Sequence, residues 1–269
     1  MKIAFIGGGN MGEAMLSALL DKCVAEHKSI TVSDVSKPRR HFLAQRYTIL
    51  TTADNRLAIT GANMVVLAVK PQNLTTVMNE LTGRFKPAQL VISIIAGARI
   101  DTLRDGLNHK TIVRSMPNTP AQIGEGITVW TATKEVTALQ KKRAASILGA
   151  MGKEFYVSDE SLLDMATAVS GSGPAYLFYF VESFINAAVA IGWSRETAKE
   201  LVLGTVLGAV HLIKKSDREP ADLRRMVTSP GGTTAEAIRA FDEGKFAELV
   251  ARAIRAAYEK AQKLGNSQR

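Results

Sequence analysis

Three glycines near the start of the chain, Gly7, Gly9 and Gly12, have G-x-G-x-x-G spacing. They follow the apolar run Lys2-Ile3-Ala4-Phe5-Ile6 and precede Glu13-Ala14-Met15-Leu16-Ser17-Ala18-Leu19-Leu20, so the order predicts strand, tight turn and helix. In such a turn the first glycine permits the sharp reversal and the second lets backbone N–H groups approach a pyrophosphate. The third lets helix and strand pack closely, and the helix N-terminus favours the phosphate charge. A second strand-like run over 30–33 ends at Asp34, where an acid that bonds a ribose hydroxyl is expected. The residues expected to hold a dinucleotide here are therefore Ile6, Gly7, Gly9, Asn10, Met11, Gly12 and Asp34. Ser36, Lys37 and Arg39 follow Asp34 and offer an alternative in which they receive a 2′-phosphate.

A second group of candidates is Thr228-Ser229-Pro230-Gly231-Gly232-Thr233-Thr234, which opens a helix expected over 235–241. Two glycines and several hydroxyls at a helix N-terminus form an anion site suited to a carboxylate. Read without its context, it is better described as an ordinary helix-start turn with threonine as the cap. In an open parallel sheet ligands bind beyond the C-terminal strand ends. Three stretches qualify: Ala68-Val69-Lys70-Pro71, Ala96-Gly97 and Met116-Pro117-Asn118-Thr119-Pro120. Lys70 reads equally as a partner for a phosphate or ring amide and as a surface lysine whose neighbour Pro71 ends the strand. Ser170-Gly171-Ser172-Gly173-Pro174-Ala175 begins another helix and is a further candidate for the same cleft.

The elements that must position these residues change character along the chain. Strands are expected over 3–6, 30–33, 64–68, 90–94, 111–114, 127–131 and 154–157, with helices over 38–46, 56–61, 74–82 and 100–107 between them. Thr137-Ala138-Leu139-Gln140 reads as a capping box opening a helix to about residue 151. Continuous apolar runs alternating with helices predict a doubly wound parallel sheet of Rossmann type. From residue 161 on only helices are expected, over 162–168, 174–191, 195–214, 221–226, 235–241 and 246–264. The expected domains are 1–158 and 159–269. The helices over 174–191 and 195–214 are so broadly apolar that both must be buried, which implies ordinary core or a subunit interface.

Composition narrows the class. The chain has 269 residues, is 46% hydrophobic and 22% charged, and carries a formal net charge of +9, which suits an anionic ligand. Its basic residues are dispersed rather than gathered in a tail. Cys23 is the only cysteine, so no internal disulfide and no cysteine-based zinc site can form. No metal site is expected. No signal peptide is expected either, and the uncharged run 165–181 is interrupted by Gly171, Gly173 and Pro174, against a membrane span. A cytoplasmic protein fits.

With these stretches together, the chain resembles the pyrroline-5-carboxylate reductase family nearly end to end. The resemblance is carried by Pro220-Ala221-Asp222-Leu223, Val227-Thr228-Ser229-Pro230-Gly231-Gly232-Thr233-Thr234, Ala237-Ile238 and Phe241-Asp242. Phe5-Ile6-Gly7, Gly9-Asn10-Met11-Gly12, Ala68-Val69-Lys70-Pro71, Met116-Pro117-Asn118-Thr119-Pro120 and Ser170-Gly171-Ser172-Gly173-Pro174-Ala175-Tyr176 match in order. The resemblance implies a helical C-terminal domain that dimerises by intertwining and often assembles further. It implies reduction of 1-pyrroline-5-carboxylate to L-proline with NADPH or NADH. By position it implies that Asn55 contacts the adenosine side of the cofactor, while Ala68, Val69, Lys70, Pro71, Ala96 and Gly97 line the nicotinamide half. Ser229, Gly231, Gly232, Thr233 and Thr234 would hold the substrate carboxylate, and Thr234 would hydrogen-bond the ring nitrogen as the catalytic residue. Members often carry a neutral residue near Asp34, so the acid here is a local departure. His27, His41, His109 and His211 all lie outside these stretches, and no histidine proton relay is expected.

Two other readings compete. A β-hydroxyacid dehydrogenase would need a lysine on the long helix, yet Gly171-Ser172-Gly173 leads into Pro174-Ala175-Tyr176-Leu177 with no lysine before Lys199. A dinucleotide sensor or nucleic-acid-binding regulator of the same fold is supported only by the +9 charge.

Overall fold

The computed structural model describes residues 1–266. Strands and helices alternate through the first part: β1 (Ile3–Ile6), α1 (Asn10–Asp21), β2 (Ile30–Ser33), α2 (Lys37–Tyr47), β3 (Leu50–Thr52), α3 (Asn55–Ile59) and β4 (Met64–Leu67). Then come α4 (Leu74–Leu81), β5 (Leu90–Ser93), α5 (Ile100–Leu107), β6 (Ile112–Met116), β7 (Gly126–Ala132), α6 (Ala138–Gly149) and β8 (Gly152–Tyr156). The strands form one sheet in the order β3-β2-β1-β4-β5-β6-β7-β8. Every neighbouring pair is parallel except β6 with β7. That exception has a covalent cause: the link between them holds only a 3-10 turn over Thr119–Ile123, too short for a parallel crossover.

The central strands are apolar runs because helices cover both faces of the sheet. Along β1, Ile3 and Phe5 enter one core with Met15, Leu16, Leu19 and Val66. Ala4 and Ile6 enter a second core with Val65, Leu67, Leu74 and Leu103. The two-residue period of a strand thus divides β1 between two layers. The expected capping box is present at α6, where Thr137 Oγ1 accepts from Gln140 N–H and Gln140 Oε1 accepts from Thr137 N–H at 3.0 Å.

Three features differ from the sequence expectation. β3 went unforeseen because it has only three residues, stands at the sheet edge and holds no buried side chain. α1 starts at Asn10 rather than Glu13, because the third glycine of the turn lies inside the first helical turn. The segment after α7 (Leu162–Ala166) passes through a π turn, Thr167–Gly171, instead of continuing as α-helix.

The chain divides into two compact units. One is Met1–Pro174 with the segment from Ala256 onward, the other Ala175–Arg255. The last three residues of the expected 159–269 domain lie outside the described residues. The second unit is built from α8 (Gly173–Ala190), α9 (Arg195–Lys215), α10 (Pro220–Met226), α11 (Thr233–Glu243) and the first half of α12 (Phe246–Asn266). Ser194 caps α9 by accepting from Thr197 N–H at 3.1 Å, as its position predicts. α8 buries none of its residues and α9 only Ala198 and Val202. Phe178 is 63% and Tyr179 73% exposed. A single chain therefore leaves these apolar faces uncovered.

His109 gives the first unit an acid-sensitive point. Its ring is buried, lies 5.2 Å from that of Phe85, and donates from Nε2 to the Gln89 carbonyl at 2.8 Å. Burial lowers its pKa below the ordinary 6.5, a shift only partly opposed by the Gln89 bond. Below pH 6.5 the unfolded chain binds a proton that the folded chain resists, so stability falls as pH drops from there toward the lowered folded pKa. Thermal unfolding from pH 7.5 to 5.5 should show this loss, and His109→Gln should flatten it. Equal pH slopes for the two proteins would contradict the assignment.

Candidate cofactor and substrate sites

The glycine turn joins β1 to α1 at the point where strand order reverses between β1 and β4, the usual ligand crevice of such sheets. Gly7 has φ +98°, and a Cβ there would stand 2.7 Å from the Ala68 carbonyl oxygen. A Cβ on Gly12 would stand 2.7 Å from the Gly7 carbonyl oxygen. The protein itself therefore requires glycine at both positions. Gly9 is different. It is the N-cap of α1 with φ −66° and ψ −176°, and a Cβ there would meet nothing within 4 Å. No side chain caps α1, which leaves first-turn N–H groups free for an anion. This open cradle fits the pyrophosphate of a dinucleotide. Asn10 is exposed and Met11 half-buried against the core, while Ile6 is fully buried and offers a ligand only its backbone.

Asp34 stands at the end of β2. Its carboxylate accepts from Gly8 N–H and Ser36 N–H, each at 2.8 Å. Ser36 caps α2, accepting from Arg39 N–H at 3.3 Å. The Arg39 guanidinium is already engaged within the protein. It donates through Nε to the Gly8 carbonyl and pairs through Nη2 with Glu13. Glu13 is held in turn by the Tyr47 hydroxyl at 2.8 Å. Sequence could not show this, because a basic residue in a helix carries no direction.

The other expected cofactor residues lie along the same strand ends. Asn55 opens α3 and its amide is fixed on both sides: Ser33 Oγ donates to Oδ1 at 2.7 Å, and Nδ2 donates to Glu80 at 2.6 Å. Ala68 and Val69 are half-buried against the glycine turn, with Val69 Cγ1 3.0 Å from the Cβ position of Gly7. Lys70 is exposed and Pro71 opens a 3-10 turn, so the structure leaves both readings of that lysine standing. Ala96 is half-buried. Gly97 has φ +77°, and its Cβ position lies 3.1 Å from Leu264 Cβ, so the last turn of α12 packs on this loop.

Two supporting networks had no signal in the sequence. Asn118 joins two of the candidate stretches, donating to the Ser170 carbonyl at 3.0 Å and accepting from Ile127 N–H at 2.9 Å. Arg114 on β6 donates to Glu160 at 2.8 Å and to Asp164 at 3.0 Å, and Asp164 also faces Arg99 at 3.5 Å. Glu160 accepts from Ile100 N–H at 2.8 Å, which ties this cluster to the start of α5 beyond the Ala96-Gly97 loop.

The candidate substrate residues lie in the second unit. Ser229 and Gly231 are exposed, and the turn closes with Gly232 N–H donating to the Ser229 carbonyl at 3.0 Å. Gly231 has φ +69°, a conformation that favours glycine. Gly232 is the N-cap of α11 with no side-chain cap, so Thr233 and the half-buried Thr234 sit in a first turn with free N–H groups. The local geometry suits a carboxylate. Among the described residues no cluster of three or more His, Cys, Asp or Glu could hold a metal ion, and no helix is long and apolar enough to cross a membrane.

Comparison with known proteins adds the identity of the fold. A family model described as pyrroline-5-carboxylate reductase dimerisation matches residues 160–264, and one described as NADP oxidoreductase, coenzyme F420-dependent, matches residues 2–97. The chain is 40% identical over 264 residues to the pyrroline-5-carboxylate reductase of Pseudomonas aeruginosa, covering 98% of this chain and 96% of the relative. It is 42% identical over 265 residues to that of Vibrio alginolyticus, covering 98% and 97%. The crystal structure of Plasmodium falciparum pyrroline carboxylate reductase with NADP bound superposes with a TM-score of 0.91 at 33% identity, covering 98% of each chain. That of the Coxiella burnetii reductase gives 0.87 at 37%, again with 98% of each. The dimerisation match falls on the helices whose apolar faces one chain leaves uncovered, which supports self-association. On this evidence, the chain belongs to the pyrroline-5-carboxylate reductase family.

Proposed function

We propose that this chain reduces 1-pyrroline-5-carboxylate to L-proline with NADH or NADPH, the last step of proline synthesis, as a cytoplasmic homodimer. The observation that carries this reading is similarity to named reductases across 98% of the chain. The open cradle at Gly9 supports it, because the uncapped first turn of α1 and the space above Gly9 leave room for a phosphate. Ile6, Gly7, Gly9, Asn10, Met11, Gly12, Asp34, Ser36 and Asn55 take the adenosine and pyrophosphate side. Ala68, Val69, Lys70, Pro71, Ala96 and Gly97 take the nicotinamide side. Intertwining of the second units, and assembly beyond the dimer, follow the same family reading. Nucleic acid is not a partner in it.

The reaction adds a hydride to the imine carbon and a proton to the ring nitrogen; a bound nicotinamide supplies the hydride. The chain's task is to hold, orient and exclude water. Ser229, Gly231, Gly232 and Thr233 bind the carboxylate at the α11 N-terminus, and the Thr234 hydroxyl orients the imine nitrogen and relays a proton from water. Orientation alone contributes roughly 7–11 kcal/mol in favourable model reactions, so no strong acid is required.

Thr234→Ala should lower kcat/KM for the imine roughly 10- to 100-fold, the loss of one hydrogen bond to a group becoming charged. Thr234→Ser should retain most of the activity. Dinucleotide Kd should not move in either variant. Near-normal kcat/KM in Thr234→Ala would remove the residue from the mechanism.

A further inference from the structure

The cations that follow Asp34 are not equally available. Arg39 is bonded to the Gly8 carbonyl and to Glu13, with its guanidinium carbon 5.2 Å from the centre of the Phe42 ring. Arg40 donates through Nη1 to the carbonyls of Asp34 at 2.6 Å and Val35 at 3.1 Å. Of these cations Lys37 alone is exposed. The Asp34 carboxylate, meanwhile, is fixed by two backbone N–H groups, one of them from the glycine turn.

We propose that this chain selects NADH over NADPH, and that Glu13 is a specificity-determining residue because it holds Arg39 away from the adenosine ribose. The proposal rests on the dinucleotide reading given above and names the cofactor within it. A carboxylate at this strand end accepts from a ribose 2′-hydroxyl and repels a 2′-phosphate. A 2′-phosphate adds close to two negative charges and needs guanidinium partners to offset them. Of Ser36, Lys37 and Arg39, which this segment offers for that role, Arg39 alone carries a guanidinium, and Glu13, itself held by Tyr47, engages it. Glu13 pairs with Arg39 and accepts from Tyr47, so it acts through Arg39 and is a positioning residue. The Plasmodium falciparum relative has NADP bound; the proposal therefore sets this chain apart from it.

The test is direct titration of the full-length protein with NADH and with NADPH, following nicotinamide fluorescence, without substrate. The wild type should bind NADH at least about tenfold more tightly. Asp34→Ser should raise NADPH affinity at least about tenfold. Glu13→Gln, nearly isosteric, should raise NADPH affinity roughly threefold to tenfold by releasing Arg39, with little change for NADH. Adding Arg39→Ala to Glu13→Gln should cancel that gain, which general loosening of the loop would not do. NADPH binding as tight as NADH in a wild type that still turns over the imine overturns this proposal alone. A gain in Glu13→Gln that survives Arg39→Ala overturns the role of Glu13. Folded protein that binds neither dinucleotide overturns the proposal together with the reading beneath it.

Discussion

Replacing Gly9 with serine should weaken NAD(P)H binding by at least about tenfold, or about 1.4 kcal/mol, while leaving thermal stability unchanged or slightly raised. The two effects separate because they have different sources. Gly9 already has an extended backbone conformation open to any residue, and a Cβ there meets no protein atom within 4 Å. Serine is also a better N-cap than glycine by a few tenths of a kcal/mol. Its hydroxyl, however, would take the first-turn N–H group that a phosphate oxygen needs, and its Cβ would enter the space the phosphate fills. Gly7→Ala is the contrast. There φ is +98° and the Ala68 carbonyl is 2.7 Å away, so stability itself should fall by about 1–3 kcal/mol. Equal loss of stability in both variants, or full cofactor affinity in Gly9→Ser, would contradict the assignment of the cradle.

Arg114→Met should destabilise the first unit by about 3–5 kcal/mol, the usual result of leaving a buried carboxylate without its partner. The Arg114 side chain is 5% and that of Asp164 6% exposed. Once Arg114 is removed, Asp164 keeps only Arg99, at 3.5 Å, and Glu160 keeps the Ile100 N–H. Urea unfolding should report the loss, with Tm lower by on the order of 10 °C. The double variant Arg114→Met, Asp164→Leu should cost less than Arg114→Met alone, because it removes the uncompensated charge as well. Additive losses in the two single variants would show that the pair is not coupled. The network also anchors the start of α5, next to the Ala96-Gly97 loop proposed to take the nicotinamide side.

How much of this was legible depends on how local the signal is. The glycine turn was readable because three spaced glycines, an apolar run and a helix all fall within twenty residues. The central strands were readable as apolar runs, and the caps at Ser194 and at Thr137 with Gln140 as short-range pairs. β3 was not, since a three-residue edge strand with half-exposed threonines has neither an apolar run nor clear alternation. The reversed β7 depends on the length of a link rather than on the strand's own residues. The Arg114 cluster joins segments 46 and 50 residues apart, and the clamp on Arg39 joins residues 26 apart, so no local pattern announces either. The 229–234 turn was identified as a substrate site through its resemblance to a family; its residue types alone describe an ordinary helix start. The uncovered faces of α8 and α9 were visible as excess hydrophobicity, although sequence could not say whether the same chain or a second one covers them.

The reaction itself is tested most directly by oxidation of NADH and, in parallel, NADPH by the purified full-length protein on addition of 1-pyrroline-5-carboxylate, with L-proline quantified in the same samples. One proline should form per nicotinamide oxidised, with both rates falling together, roughly 10- to 100-fold, in Thr234→Ala. Folded protein that binds a dinucleotide yet forms no proline with either NADH or NADPH would contradict the reaction and leave a dinucleotide sensor of the same fold as the better description.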